Sequence, residues 1–236
     1  DPAPGAGGPP RGHDAVMFDD PRGADAGPVG LIGFSTAGDS LQPCDEICGG
    51  GFLGASFDLG VGGVALSMPG DGGRVQPFRN AEAAFQALRF WRLAPEFAEL
   101  TGPEALEVRR QLADREDATF MGFGGMWQAM FAVLQAKFAP QSAMASALLD
   151  TEDAFLLHHC DYAVADSKTW ANNGDGEGLN WLGIQLMLIR DDLAGSSGEG
   201  GWTAFLAGLI DNATGQPKNE QSAQEWQDAV RAATGA

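Results

Sequence analysis

The hydrophobic pattern of the chain changes its period near residue 80, and this change constrains the fold more than any other feature. Before that point the apolar stretches are short, at residues 29–34 and 61–68, and a dense turn signal at 69–73 follows the second of them. From Asn80 onward, apolar residues recur at the three- and four-residue spacing of a helix face. We therefore expect an α+β domain that is mainly helical, with a few short antiparallel strands near the N-terminus.

The helical part of the sequence divides into segments with recognisable starts. Asn80 is a favourable N-cap for a helix that continues to Pro95, and Pro103 opens a second helix that reaches about Arg115. Further helices are expected near residues 126–138, 141–149, 152–159, 179–193 and 222–233. Hydrophobic residues make up 44% of the 236 positions, which is enough for one sizeable core.

Composition divides the chain into three parts. Residues 1–28 are rich in Pro and Gly and poor in large apolar side chains, so we expect a disordered leader there. Residues 29–194 carry the periodic segments and form the main domain. Residues 195–236 begin with a Gly- and Ser-rich stretch that is typical of a flexible linker, and they end in a helical C-terminal appendage.

The charge balance limits the classes of partner. The chain has 32 acidic against 14 basic residues and a formal net charge of −18, which disfavours binding to nucleic acid or to anionic lipid. No apolar run approaches the roughly 18 residues that a membrane helix needs. Three Cys in a chain of this size favour a reducing compartment over a disulfide framework. We therefore expect a cytoplasmic protein with a small-molecule partner and no membrane contact.

Glu82 is the first candidate for chemistry. It lies in the first turn of the helix that Asn80 opens, on the same face as Phe85, Gln86 and Arg89. The helix N-terminus favours the charged carboxylate, whereas burial against the apolar stripe disfavours it. An acid in the first turn also stabilises a helix without any further role, so the spacing alone leaves both interpretations open.

The segment from Trp170 to Asn180 is the second candidate, because alternating glycines lead directly into a helix. Such glycines let a backbone approach a ligand, and the helix start offers N–H groups to a phosphate or ribose beside the Trp170 ring. The alternative is an acidic loop, since Asp175 and Glu177 would repel phosphate. The segment lacks the Lys and Ser/Thr of a P-loop.

A metal site is the third candidate, because five Cys and His side chains have the right chemistry for zinc. They are Cys44, Cys48, His158, His159 and Cys160. Their spacing is not that of a known zinc motif. We therefore expect no metal ion and no cofactor.

Six segments in order resemble the NADAR superfamily, and together they cover about residues 29–194. In one-letter code they are IGFS at 32–35, GFLGASF at 51–57, AEAAFQALRF at 81–90, LQAKF at 134–138, LLDT at 148–151, and Trp170 followed by GLNWLG at 178–183 and LMLIR at 186–190. The resemblance implies cleavage of an N-glycosidic bond between a phosphoribosyl or ADP-ribosyl group and a nitrogenous group. Such a reaction builds positive charge on the sugar, which a carboxylate stabilises while it aligns water.

The resemblance also assigns roles to residues. Glu82 matches the catalytic Glu of the family, Trp170 matches an aromatic that stacks on base or sugar, and Asp166 lies one place from the family's supporting Asp. The positions expected to bind substrate are Phe52, Ser56, Arg89, Trp127, Lys137, Gly178 and Asn180.

Besides the shift at Asp166, the chain departs from the family at two further points. The Trp that precedes the third helix falls near Gly122, where Phe120, Phe123 or Trp127 would have to replace it. An acid of the family falls near His158.

Three functions therefore remain open. The first is an N-glycosidase for a small soluble substrate, and the second is a hydrolase that removes ADP-ribose from guanine in DNA. The third is a nucleotide-binding module without catalysis. The negative charge favours the small substrate, unless the arginines at positions 74, 79, 89 and 92 form a basic patch at the cleft.

Overall fold

The computed structural model of the chain describes residues 16–23, 26–35, 49–67, 74–160, 167–195 and 201–235. Strands in these ranges form two small sheets. The strands are β1 (Val16–Asp19), β2 (Pro28–Phe34), β3 (Val64–Ser67), β4 (Val75–Phe78) and β5 (Phe155–His158). One sheet has the order β1-β2-β5, in which β1 is antiparallel and β5 is parallel to the central strand, and the other pairs β3 with β4 antiparallel.

Two strands correct the sequence-based expectations. β1 lies within the predicted leader, of which residues 1–15 and 24–25 are outside the described ranges, and its Val16 pairs with Leu31 of β2. β5 replaces the helix predicted near 152–159, and it adds a parallel pairing with β2 to the antiparallel strands expected near the N-terminus. All four residues of β5 are buried. A short run that is buried on both faces has no alternation, so its period does not distinguish strand from helix.

The helices confirm the mainly helical α+β class. The helix that begins after Asn80 ends at Ala87, well before Pro95, and a single 3₁₀ turn at Trp91–Leu93 precedes the next helix. No helix in the described residues is both long and apolar enough to cross a membrane. The helices are α1 (Ala81–Ala87), α2 (Ala94–Phe97), α3 (Gly102–Gln111), α4 (Met126–Lys137), α5 (Ala143–Leu149), α6 (Ser167–Trp170), α7 (Trp181–Leu193), α8 (Trp202–Leu209) and α9 (Glu220–Thr234).

The C-terminal helices are part of the same core, so the expectation of an appendage at 195–236 is wrong for the residues that the structure describes there. Trp202 of α8 and Trp226 of α9 are fully buried, and their rings lie 5.5 and 5.6 Å from the ring of Phe155 in β5. The buried face of α9 also carries Ala229, Val230 and Ala233. Trp202 and Trp226 thus cover β5, and Trp226 also donates a hydrogen bond to the carbonyl of Leu179, just before α7.

Candidate active site

The start of α1 is fixed by both halves of one amide side chain. Asn80 has an extended backbone (φ −150°), and its Oδ1 accepts a hydrogen bond from the Ala83 N–H at 2.8 Å. Its Nδ2 donates to the carbonyl of Leu100 at 2.9 Å, which attaches the helix start to the segment before α3. The predicted N-cap is therefore confirmed, and it places Glu82 in the first turn.

Glu82 is held at its backbone and at its side chain. Its N–H donates to the carbonyl of Ala55 at 2.9 Å, and its Oε1 accepts a hydrogen bond from Nε2 of Gln86 at 2.6 Å. The residue is only 8% exposed. The carboxylate thus has a defined orientation in a largely buried position, where its interaction with charge is stronger than in water.

The turn at residues 51–57, which carries Ala55, is itself buried and packed. Phe52 and Ser56 both lie in its interior. A Cβ added at Gly102 would lie 1.9 Å from Oγ of Ser56, so the start of α3 fits against this turn only with glycine at that position. Phe52 and Ser56 therefore support the start of α1, and their predicted contact with substrate stays a prediction.

Lys137 lies beneath the same turn. Its Nζ donates to the carbonyl of Gly54 at 2.7 Å and to that of Leu53 at 3.4 Å. Burial lowers the pKa of its ammonium group to about 7. The ammonium group binds the backbone of the turn inside the protein, and its predicted contact with substrate stays a prediction.

Aromatic rings extend from Glu82 along the same face of α1. The Phe85 ring meets Trp170 edge-on at 5.6 Å and stacks on Phe120 at 5.3 Å. Trp170 ends α6, is half-buried, and accepts a hydrogen bond at its carbonyl from Nδ1 of His158 at 2.9 Å. The structure therefore brings Trp170 to the helix face that carries Glu82.

Phe120 is the second aromatic of this group, and it sits in a strained loop. It has φ 50° and the next residue, Met121, has φ 56°, a region that non-glycine residues rarely adopt. Asp117 holds the loop, since its carboxylate accepts from the N–H groups of Thr119 and Met121. Strain of this kind occurs where a fold must place a particular side chain.

Trp127 has a structural role in the core, and its predicted contact with substrate stays a prediction. It is buried in α4, where its Nε1 donates to the carbonyl of Asn212 at 2.9 Å. Its ring packs so closely on Gly215 that a Cβ there would lie 2.3 Å away. Trp127 thus anchors the loop between α8 and α9.

Arg89, the last charged side chain on this face, has a carboxylate partner. Its guanidinium lies 4.5 Å from the centre of the Phe120 ring and forms an ion pair with Glu116. Burial of Glu116 opposes its ionisation, but the hydrogen bond from Arg109 and the charge of Arg89 lower its pKa below the ordinary value. Arg89 therefore fixes the aromatic group to the loop that carries Phe120.

The glycine-rich segment before α7 is largely buried and held by hydrogen bonds, and the predicted phosphate or ribose there stays a prediction. Asn180 adopts φ 51°, accepts from the His158 N–H at 2.9 Å, and donates to the carbonyl of Leu156 at 2.9 Å. Gly178 packs on the backbone of Ala171, where a Cβ would lie 1.9 Å from the carbonyl oxygen. Trp226 covers the segment and donates to the Leu179 carbonyl at 2.7 Å. Gly178 and Asn180 therefore join α7 to β5.

Three residues of interest, Asp166, Cys44 and Cys48, lie outside the described residues. Of the remaining metal candidates, His158 forms a hydrogen bond with the carbonyl of Trp170, and His159 forms one with the side chain of Asn172. In the described part of the chain, no three His, Cys, Asp or Glu side chains form a group that could hold a metal ion.

The chain is similar to known proteins in part of its sequence and in its structure, although no family model matches it. It is 36% identical over 67 residues to an N-glycosidase, YbiA of Shigella boydii serotype 4 (strain Sb227). That match spans 28% of this chain and 39% of the relative, well under two thirds of its length. It supports the resemblance to the NADAR superfamily. The NMR structure of the E. coli protein YbiA aligns with a TM-score of 0.47 and 24% identity, over 77% of this chain and 89% of that one.

Proposed function

We propose that this chain hydrolyses the N-glycosidic bond between a phosphoribosyl or ADP-ribosyl group and a nitrogenous base or amine in a small soluble substrate. The observation that carries the proposal is Glu82, a largely buried carboxylate that Ala55 and Gln86 hold on one face of α1. The same face carries Phe85, whose ring contacts Trp170 of α6. The sequence match to an N-glycosidase adds support.

The chemistry follows from this arrangement. As the C1′–N bond breaks, positive charge develops on C1′ and on the ring oxygen of the sugar. A carboxylate that is already oriented stabilises this charge without reorganisation, and burial of Glu82 strengthens the interaction. The half-buried ring of Trp170 offers a surface on which a base stacks.

The charges favour a small substrate over DNA. Of the four arginines considered for a basic patch, Arg89 is paired with Glu116, and Arg79 is paired with Asp58 at 2.5 Å. A hydrogen bond from Arg79 also lowers the pKa of the Asp58 carboxyl to about 2, so this pair stays charged over the physiological range. Paired arginines add little to phosphate binding in a chain with a net charge of −18.

The proposal is tested with the full chain and the variant Glu82→Gln, using ADP-ribosyl-guanosine and a ribosylamine phosphate as substrates and mass spectrometry of the released base or amine. We expect the wild type to hydrolyse one of these substrates and Glu82→Gln to lose at least about 10²-fold in kcat. Glu96→Gln removes an exposed acid of α2 and is the matched control, with an unchanged rate.

Two other outcomes would overturn the proposal. If both proteins bind ADP-ribose and neither releases a base, the chain is a nucleotide-binding module. If Glu82→Gln is as active as the wild type, the carboxylate at the start of α1 has no part in the reaction.

A further inference from the structure

Within the described part of the chain, the side-chain amide of Gln86 has a hydrogen-bond partner on one side only. Its Nε2 donates to Oε1 of Glu82 at 2.6 Å, one helical turn earlier on α1. Its Oε1 is buried and has no hydrogen-bond partner among the described residues, in a residue that is 2% exposed. Buried polar atoms in folded proteins nearly always have a partner, so an unpartnered carbonyl next to the carboxylate of Glu82 requires an explanation.

The orientation of the amide follows from its neighbour. An ionised carboxylate only accepts hydrogen bonds, so the NH₂ group of Gln86 has to face Glu82. Turning the amide over would bring two acceptor oxygens to the 2.6 Å that now separates Nε2 from Oε1. Because Nε2 faces Glu82, the amide oxygen of Gln86 is directed away from the Glu82 oxygen that Nε2 binds.

An unpartnered amide oxygen is not by itself a site, and the molecule contains a second example. Gln185 in α7 donates its Nε2 to the carbonyl of Trp127 at 2.8 Å, and its buried Oε1 also has no partner in the ranges that the structure describes. The two residues differ in what they hold. Gln185 binds a backbone carbonyl within the core, whereas Gln86 binds the carboxylate to which the proposed function assigns the reaction.

We infer, on the basis of the proposed function, that Gln86 is a positioning residue for Glu82 and for the water that attacks C1′. Its Nε2 orients the carboxylate, and its Oε1 accepts one hydrogen bond from that water. If the water donates its other hydrogen to Glu82, both of its protons are engaged and a lone pair of its oxygen is free to point at C1′.

Atoms and electrons balance in this step. The water oxygen forms a bond to C1′ as the C1′–N bond breaks, and the electron pair of that bond goes to the nitrogen. Glu82 accepts one proton from the water, and that proton then passes to the nitrogen of the leaving group, directly or through solvent. Gln86 gives up and takes up no proton.

The first test is Gln86→Met, which keeps the length of the side chain and removes both hydrogen-bonding atoms. We expect kcat on the substrate that the wild type hydrolyses to fall about 10²-fold, because neither the carboxylate nor the water is then oriented. KM for the same substrate should change much less. Gln185→Met is the matched control, since it removes the same two atoms elsewhere in the core and should leave kcat of the folded protein unchanged.

The second test is Gln86→Glu, because its pH profile of kcat distinguishes a positioning role from a merely structural one. At neutral pH the introduced carboxylate repels Glu82, but at lower pH two adjacent carboxyl groups share one proton. The shared proton replaces the lost N–H bond, so we expect the pH profile of kcat to shift toward acid. A structural role would instead lower the rate in proportion to the unfolded fraction, measured by thermal unfolding at each pH.

The outcomes separate this inference from the proposed function. If the wild type is active, Glu82→Gln is inactive and Gln86→Met keeps the wild-type kcat, the inference about Gln86 is overturned and the proposed function stands. A pH profile of Gln86→Glu parallel to that of the wild type would overturn it as well. If the wild type hydrolyses neither substrate, the proposed function fails and the inference fails with it.

Discussion

The starts of α1 and α7 resemble each other in sequence, since each follows an Asn and each is a candidate for ligand binding on its sequence alone. They differ in their surroundings. Asn80 is extended and caps its own helix, whereas Asn180 is left-handed and bonds the backbone of β5. The α1 start presents a carboxylate beside aromatic rings, and the α7 start is covered by Trp226 of α9. Glycines that lead into a helix form a ligand site only where the rest of the fold leaves the helix start open.

The largest effect on stability is expected at Trp226, which covers the start of α7. Trp226→Ala removes a buried ring stacked on Phe155 and the hydrogen bond to Leu179, so we expect a loss of about 3–5 kcal/mol in the free energy of unfolding. Urea unfolding measures it, and Trp226→Phe, which retains the ring stacking, should lose less. A loss below about 1 kcal/mol for the Ala variant would mean that α9 does not close this segment.

Asn180→Ala tests whether the α7 start is structural. The change leaves the His158 N–H and the Leu156 carbonyl without their partner, and we expect a loss of about 2–4 kcal/mol. The φ of 51° adds a separate cost for alanine, so Asn180→Gly should be less destabilised by about 1 kcal/mol. If urea unfolding finds both variants as stable as the wild type, the interpretation of Asn180 as the link to β5 is wrong.

Lys137, beneath the turn that holds the start of α1, makes the free energy of unfolding depend on pH. Its pKa in the folded chain is about 7, below the ordinary value of 10.5. Between these two values the unfolded chain holds the proton and the folded chain does not, so the free energy of unfolding rises with pH. The difference between wild type and Lys137→Met should therefore rise by up to about 1.4 kcal/mol per pH unit from pH 7 to 10. A difference that stays constant over this range would show that the buried ammonium group keeps its proton.

The smallest effect is expected at the ion pair between Arg231 of α9 and Glu177, which are 2.8 Å apart at the surface above α7. Exposed ion pairs contribute little to stability because solvent screens them. We expect Arg231→Gln to unfold at the same urea concentration as the wild type. A clear shift of the midpoint would mean that charge, as well as the burial of Trp226, closes the α7 start.

Much of the helical architecture could be predicted from the sequence, because caps and apolar spacing are local signals. Asn80 as N-cap, and the helices at 126–137 and 181–193, lie within a few residues of their predicted bounds. The strand at 155–158 could not be predicted, because its partner in β2 lies about 120 residues away and nothing local records that pairing.

The candidate site likewise has features that local sequence predicts and features that depend on distant contacts. The position of Glu82 on its helix follows from local sequence, and so does the i, i+4 spacing that brings Gln86 to it. The burial of Lys137 beneath the turn that holds Glu82, and the packing of Phe120 on Phe85, depend on contacts between distant segments. Spacing shows which residues share a face, and only the packing shows which of them is covered.

One measurement tests the difference between the two helix starts most directly. It is the rate of base release from ADP-ribosyl-guanosine or of amine release from the ribosylamine phosphate, per folded molecule, by Glu82→Gln and Glu177→Gln. Glu82→Gln replaces an acid at the start of α1 with its amide, and Glu177→Gln does the same just before the start of α7. We predict that Glu82→Gln loses at least about 10²-fold in kcat and that Glu177→Gln retains the wild-type rate. Loss of activity in Glu177→Gln with full activity in Glu82→Gln would contradict the assignment of the reaction to the α1 start.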